Sequence, residues 1–320
     1  MGFKLPSTSG LNLRILLTNF LVFGFIAAIV GTFLYSSGIS GSSAILVWMF
    51  VSFLMIGIQW YLGPILIKWA TKAKELPREQ APEIHDMIEN LANIANIPKP
   101  KIYLVNNASP NAFAFGRTQK DSGVAIHTGL LQLLNKEEVE GVLAHEIGHI
   151  KNRDVLTMTL ASVLPVILYY AVLLFGGRND QKGGNFILVW IGAFVAQFIG
   201  QIMVMWLSRS REYHADAFAA HATKKPQHLM SALAKITYSN SQMKGNAESM
   251  VKAFYFSNAS ASEASFASEI VNIIGTGNEK DIASAIANEK KKGGFELIMT
   301  HPLTYKRLDA LLKIKKEIGG

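Results

Sequence analysis

The chain has 320 residues, half of them hydrophobic, and a mean hydropathy of +0.24, too apolar for a purely soluble domain and too polar for a polytopic transporter. It contains no cysteine, which excludes disulfides, thiolate metal sites and cysteine nucleophiles and leaves His, Asp and Glu to hold any metal. The formal charge of +8 fits basic flanks facing anionic lipid better than it fits nucleic acid.

A hydrocarbon core of about 30 Å needs roughly 20 apolar residues in a helix. Four segments meet that length without a charged residue: Leu16–Tyr35, Ala44–Ile67, Val155–Phe175 and Phe186–Leu207. The first apolar run is too long for a cleaved signal and is followed almost at once by the second. The connection Ser36–Ser43 carries no charge, whereas Lys68, Lys72, Lys74 and Arg78 follow the second span. Lys151 and Arg153 precede the third span, and Arg209 and Arg211 follow the fourth. Arg178 and Lys182 in the third connection run mildly against the trend. The overall balance places both termini and both long polar segments on the cytoplasmic side of the cell membrane.

The expected fold is therefore a mainly α membrane protein with four transmembrane helices and a cytoplasmic α+β domain with a small sheet. Residues 1–70 form a first membrane hairpin and 155–207 a second, while 71–154 and 208–320 together build the soluble domain. Pro77–Ile97 reads as an amphipathic helix with Ile84, Met87, Ile88, Leu91 and Ile94 on its apolar face. Lys101–Asn106 and Val124–His127 read as short strands, and Asn111–Gly116 between them as an edge strand or a loop.

The run Lys136–Ile150 has helical composition, with Asn135 as N-cap and acidic residues in the first turn. His145 and His149 stand four apart, so both imidazoles leave one helical face at a spacing that suits one Zn²⁺. Glu146 lies beside that face, where a carboxylate acts as general base rather than ligand. A metzincin would require glycine at position 152 and histidine at 155, where this chain has Asn152 and Val155. A gluzincin takes its third ligand from a later helix, and Ser208–Asp216 follows the fourth span directly. Glu212 and Asp216 share a face there, the first as zinc ligand and the second as partner of a ligand histidine, His145. Both spans leave the same membrane face, His149 about 9 Å of helix before the third and Glu212 about 7 Å after the fourth. His214 and His221 compete as ligands but read as ordinary polar positions. Ser257–Ser268 reads as a mobile segment near the cleft or a plain helix connection, and Glu289–Gly294 as a solvated turn.

In these motifs the chain resembles the HtpX family of membrane zinc metalloproteases, related to the CAAX prenyl endopeptidases. The matching stretches are Asn111-Ala-Phe-Ala-Phe-Gly116, His145-Glu-Ile-Gly-His-Ile-Lys-Asn-Arg-Asp154, Ser208-Arg-Ser-Arg-Glu-Tyr-His-Ala-Asp216, and a late His301-Pro302 followed by Arg307. The resemblance implies an ATP-independent zinc endopeptidase engaged in quality control of membrane proteins at the cytoplasmic surface. It also favours Asn111, Ala112, Phe113 and Ala114 as substrate contacts, the alternative being that Ala112, Phe113 and Phe115 are packed inside. His301 is expected to donate to the oxyanion, the alternative being a plain loop histidine before the turn-making Pro302, and Arg307 to pair with a carboxylate near the metal. The HtpX pattern places an aliphatic residue where this chain has His214. No G-x-x-x-x-G-K-[ST] loop appears, so no nucleotide is expected as a partner. Expected partners are protein substrates, membrane proteins above all, and the lipid bilayer. Two other functions fit the same residues: a processing peptidase for one lipidated or precursor substrate, and a zinc-stabilised membrane adaptor without activity.

Overall fold

The computed structural model describes residues 32–34, 36–176, 186–242, 261–274, 278–292 and 299–319. It is mainly helical with one small sheet. Three helical stretches among the described residues are long and apolar enough to cross a membrane: Gly41–Thr71, Asp154–Phe175 and Ile187–Thr223. The expected first span, Leu16–Tyr35, lies outside the described residues except at positions 32–34.

Helix α1, Gly41–Thr71, covers the second expected span and extends past both its ends. The third expected span is not one helix. Asp154–Ala161 (α5) and Val163–Gly176 (α6) are separated at Ser162, because Pro165 has no N–H to offer the carbonyl of Ala161. The fourth continues well beyond its apolar stretch, and Phe186–Thr223 (α7) is unbroken, carrying Glu212 and Asp216 on the same helix.

The chain divides into two compact units. One takes in Ser162–Gln201 and part of the N-terminal stretch to Gln59; there Ser52 and Tyr170 share a 3.0 Å hydrogen bond and Gly200 packs on Pro165. The other takes in Trp60–Ala161, Ile202–Lys244 and the C-terminal residues from Phe254.

In the larger unit, strands β1 (Lys74–Glu75), β2 (Lys101–Val105), β3 (Ala112–Gly116) and β4 (Ser122–His127) form a sheet in the order β1-β2-β4-β3. The β2–β4 pair is parallel and the two outer pairs antiparallel, leaving β3 on an edge. Alternation along the strands sorts their side chains onto two faces. Ile102, Ala112, Val124 and Ile126 enter the main core, whereas Tyr103, Val105, Phe113, Phe115 and Ala125 form a second cluster that Ile67 and Ala73 cover.

The main core is closed by α2 (Pro82–Ala95), α4 (Lys136–Lys151), α8 (Pro226–Gln242), α9 (Ala261–Ile274), α10 (Glu279–Lys292) and α11 (Thr304–Gly319). Short α3 (Thr128–Leu133) follows β4 directly. On α2, Ile88 and Leu91 are buried as their spacing requires, but Ile94 is 56% exposed. It lies at the rim of the apolar stripe, and Ala92 and Ala95 make the contact instead. The expected solvated turn at Glu289 is the end of α10, where Glu289 is buried and paired with Lys292 at 2.8 Å.

Candidate metal centre

Helix α4 is set by its own sequence. Asn135 accepts from the Glu138 N–H while the Glu138 carboxylate returns to the Asn135 N–H, a complete capping box. Ser231 and Lys235 of α8 also bind Glu138, so the start of the helix is fixed both locally and by tertiary contact. Further along, Leu143 and Ile147 are fully buried. The opposite face turns His145 and His149 toward α7. Gly148 allows the approach: a Cβ there would lie 3.0 Å from the Cα of Ala215.

His145, His149 and Glu212 offer ligand atoms that all lie within 4.8 Å of one another. The two imidazole Nε2 atoms are 3.1 Å apart, and each is 3.6 Å from a Glu212 carboxylate oxygen. Two ligands about 2.1 Å from a tetrahedral ion stand about 3.4 Å apart, so these separations fit a metal held by three donors. The donor chemistry fits too: each imidazole turns its Nδ1 to a carboxylate and its Nε2 to the shared centre, the arrangement a cation-ligating histidine takes.

The distal nitrogens are held as well. Nδ1 of His145 lies 2.9 Å from Asp216, and Nδ1 of His149 lies 2.7 Å from Asp154. Asp154 is tied in turn to Arg211, which also donates to the carbonyl of Asn152 at 2.8 Å. Arg307 of α11 reaches the same cluster, donating to both oxygens of Asp216 at 2.7 and 2.8 Å and standing 3.2 Å from Glu212. His301 places Nδ1 3.3 Å from Glu212, with its side chain 30% exposed.

Electrostatics follow from burial. The imidazole of His145 is opposed by its burial, yet the hydrogen bonds to Asp216 and Glu212 outweigh that and push its pKa up to about 9. Burial raises the Glu146 carboxyl above the usual range, although both histidines and the Ala114 N–H pull the other way. That N–H, on the free edge of β3, donates to Glu146 at 2.6 Å.

The structure thus brings together His145, Glu146, His149, Glu212, Asp216, His301 and the main chain of Ala114. Reading by sequence missed Asp154 as the partner of His149. The signal available was its place five residues on, but Arg153 in a left-handed conformation (φ 55°) turns the chain back there, which helical spacing does not foresee. The favoured reading of Asn111–Ala114 as substrate contacts needs correction for its side chains: Asn111, Ala112 and Phe113 are buried. Ala112 and Phe113 face the two cores because the strand alternates between them, so in β3 the main chain and Ala114 remain for contact. His214 and His221 are exposed and away from the cluster.

Two histidines and a carboxylate from separate helices, with a buried glutamate between them and an edge strand, define a metallopeptidase carried on membrane helices. Residues 78–315 match the model of peptidase family M48. Among similar proteins, the Protease HtpX homolog of Methanothermobacter thermautotrophicus is 39% identical over 230 residues, covering 72% of this chain and 87% of that one. The Aquifex aeolicus relative of the same name is 34% identical over 294 residues, covering 88% and 87%. A crystal structure of S. mikatae Ste24p shares the fold with a TM-score of 0.56 at 18% identity, covering 93% of this chain and 65% of that one. The chain belongs to peptidase family M48, and its relatives place it among the HtpX proteases.

Proposed function

We propose that the chain is a gluzincin-type zinc endopeptidase of the cell membrane that hydrolyses misfolded or damaged membrane proteins at the cytoplasmic surface without ATP. Four transmembrane helices, with the protease domain on the side of the lysine-rich and arginine-rich flanks, complete the reading. The observation that carries it is the convergence of His145, His149 and Glu212, with Glu146 next to them on the following residue of the helix.

In this reading His145, His149 and Glu212 hold one zinc ion. When bound, zinc supplies Lewis acidity, making water more acidic and polarising a carbonyl. Asp216 and Asp154 accept the Nδ1–H of their histidines, which fixes the tautomer that leaves each Nε2 lone pair free. Glu146, as a carboxylate, accepts a proton from the attacking water and passes it to the leaving nitrogen. The Ala114 N–H aims that carboxylate. The outer edge of β3 has no neighbouring strand among the described residues, and there an extended substrate pairs by main-chain hydrogen bonds. His301, from its position beside Glu212, donates to the oxyanion as the carbonyl becomes tetrahedral.

Metal analysis paired with casein digestion tests the proposal. Wild type and Glu146→Gln should each carry one zinc, and the variant should lose about 10²–10⁴-fold in rate. Cleavage by Glu146→Gln at the wild-type rate would overturn the assigned base. Digestion confined to a prenylated peptide, with casein untouched, would replace the quality-control role by the processing one.

A further inference from the structure

The turn between β3 and β4 is tied to helix α1 on one side and to the metal helix on the other. Arg117 donates from Nε to the main-chain carbonyl of Tyr61 at 2.8 Å, and its guanidinium lies 4.7 Å from the centre of the Tyr61 ring. Asp121, across the turn, takes Nη1 at 2.6 Å and holds the guanidinium in place. The sequence explains why that carbonyl is within reach. Pro64 lies inside α1 and has no N–H for the carbonyl of Trp60, so the helix is loosened at this turn and the next carbonyl can take an outside donor.

On its other side, Gln119 donates to the carbonyl of Lys151, the last residue of α4, at 2.9 Å. The turn itself has little slack. Gly116 has φ +142°, and a Cβ there would lie 2.1 Å from the carbonyl oxygen of Asp121. The same part of α1 carries the side chains that cover the second sheet face: Ile67 packs on the aromatic cluster and Lys68 lies 5.8 Å from the centre of the Tyr103 ring. Its outer surface is apolar and bare, with Leu66 52% and Trp69 78% exposed, as lipid contact requires.

We infer that Arg117 is a positioning residue that makes β3, and with it the Ala114 N–H held against Glu146, follow the lipid-facing end of α1. It touches no reacting atom. A bilayer thinner or thicker than a helix prefers changes the helix's tilt, and Arg117 passes the displacement of the Tyr61 carbonyl to the strand it terminates. Substrate uptake at β3 thereby depends on bilayer thickness. The inference rests on the peptidase reading for its kinetic consequence, though not for the mechanical one.

Casein kinetics and hydrogen exchange of the peptide spanning Ala112–Gly116 test it on the full chain, in nanodiscs of short-chain and long-chain phosphatidylcholine. In wild type, kcat/KM should differ by about threefold or more between the two bilayers, and the exchange rate should shift in parallel. Arg117→Ala should abolish both dependences while zinc content and melting temperature stay at wild-type values. Arg117→Lys keeps the charge near Tyr61 and Asp121 but not the Nε–H, so it should retain part of each. The lysine variant also carries the test if the alanine variant does not fold. Equal exchange in the two bilayers for wild type, or full thickness dependence in either variant, overturns the inference. Failure of wild type to cleave casein counts against the peptidase reading alone, because exchange still reports the coupling.

Discussion

His149 directs its Nδ1 at Asp154, 2.7 Å away, across the point where the metal helix ends and the next begins. Arg211 on α7 binds the same aspartate, so this pair joins α4, α5 and α7 around one imidazole. A carboxylate in that position sets the tautomer and basicity of a ligand histidine. Asp154→Ala should therefore weaken metal binding about 10–100-fold with little change in helix content. Competition against a chromogenic chelator measures this, and an affinity equal to wild type would remove Asp154 from the site.

Arg307 is the cation nearest two buried carboxylates. It is 2% exposed and binds Asp216 through two donors while facing Glu212. Replacing it by Leu removes the permanent cation from that buried network and leaves only His145 to face both carboxylates, so the metal-free protein should lose about 3–5 kcal/mol of stability. Added zinc should recover part of the loss, because it supplies positive charge at the same place. Denaturant titration in detergent, with and without chelator, reads both effects. A metal-free variant as stable as wild type would show that Arg307 does not offset this charge.

The raised pKa values have a definite sign. His145 binds a proton more tightly folded (about 9) than unfolded (about 6.5). Its contribution is fully present below about pH 6.5 and lost as pH rises through 9. Glu146 is raised as well, and a carboxyl shifted upward also loses its contribution as pH rises through its folded pKa. The melting temperature of the metal-free protein should thus fall between about pH 6.5 and 9. Zinc affinity should rise over the same window, because the proton on His145 must leave before the metal binds. Thermal melts in chelator and zinc titrations across that range give the two slopes, and a metal-free melting temperature that climbs with pH would contradict the assignment.

Gly148 sets the separation of α4 and α7. A Cβ would sit 3.0 Å from Ala215 Cα and 3.3 Å from both its Cβ and its carbonyl oxygen. Backbone on both sides leaves no flexible group to yield, so Gly148→Val should cost about 1–3 kcal/mol and move His149 away from Glu212. Metal affinity should fall more than it does in Gly57→Val, since nothing lies within 4 Å of a Cβ at Gly57. Equal zinc affinity in the two variants would show that close helix approach is not what assembles the cluster.

Much of this was legible from local chemistry. The capping box at Asn135 and Glu138, the i,i+4 spacing of His145 and His149, and the apolar lengths of the membrane helices are short-range facts that need no knowledge of the fold. The break at Ser162 was also present in the sequence, in Pro165, but hydropathy averages over it. The bend at Asn152–Arg153, which returns Asp154 to His149, was not readable, because it depends on a left-handed residue rather than on a period. Nor was the burial of Asn111 and Phe113. Both faces of the sheet are covered, and an alternating strand then has no wet side to reveal itself by.

From the amino-acid sequence alone came the ligand types, their helical spacing and the membrane anchoring, since each follows from side-chain chemistry and from periods of a few residues. Tertiary structure alone decided how Glu212 meets two histidines more than sixty positions earlier, which oxygens Arg307 holds, and which edge of β3 lies open beside Glu146. Those relations depend on where separate helices cross, and crossing geometry is set by packing of small residues such as Gly148 against Ala215 rather than by any pattern along one segment.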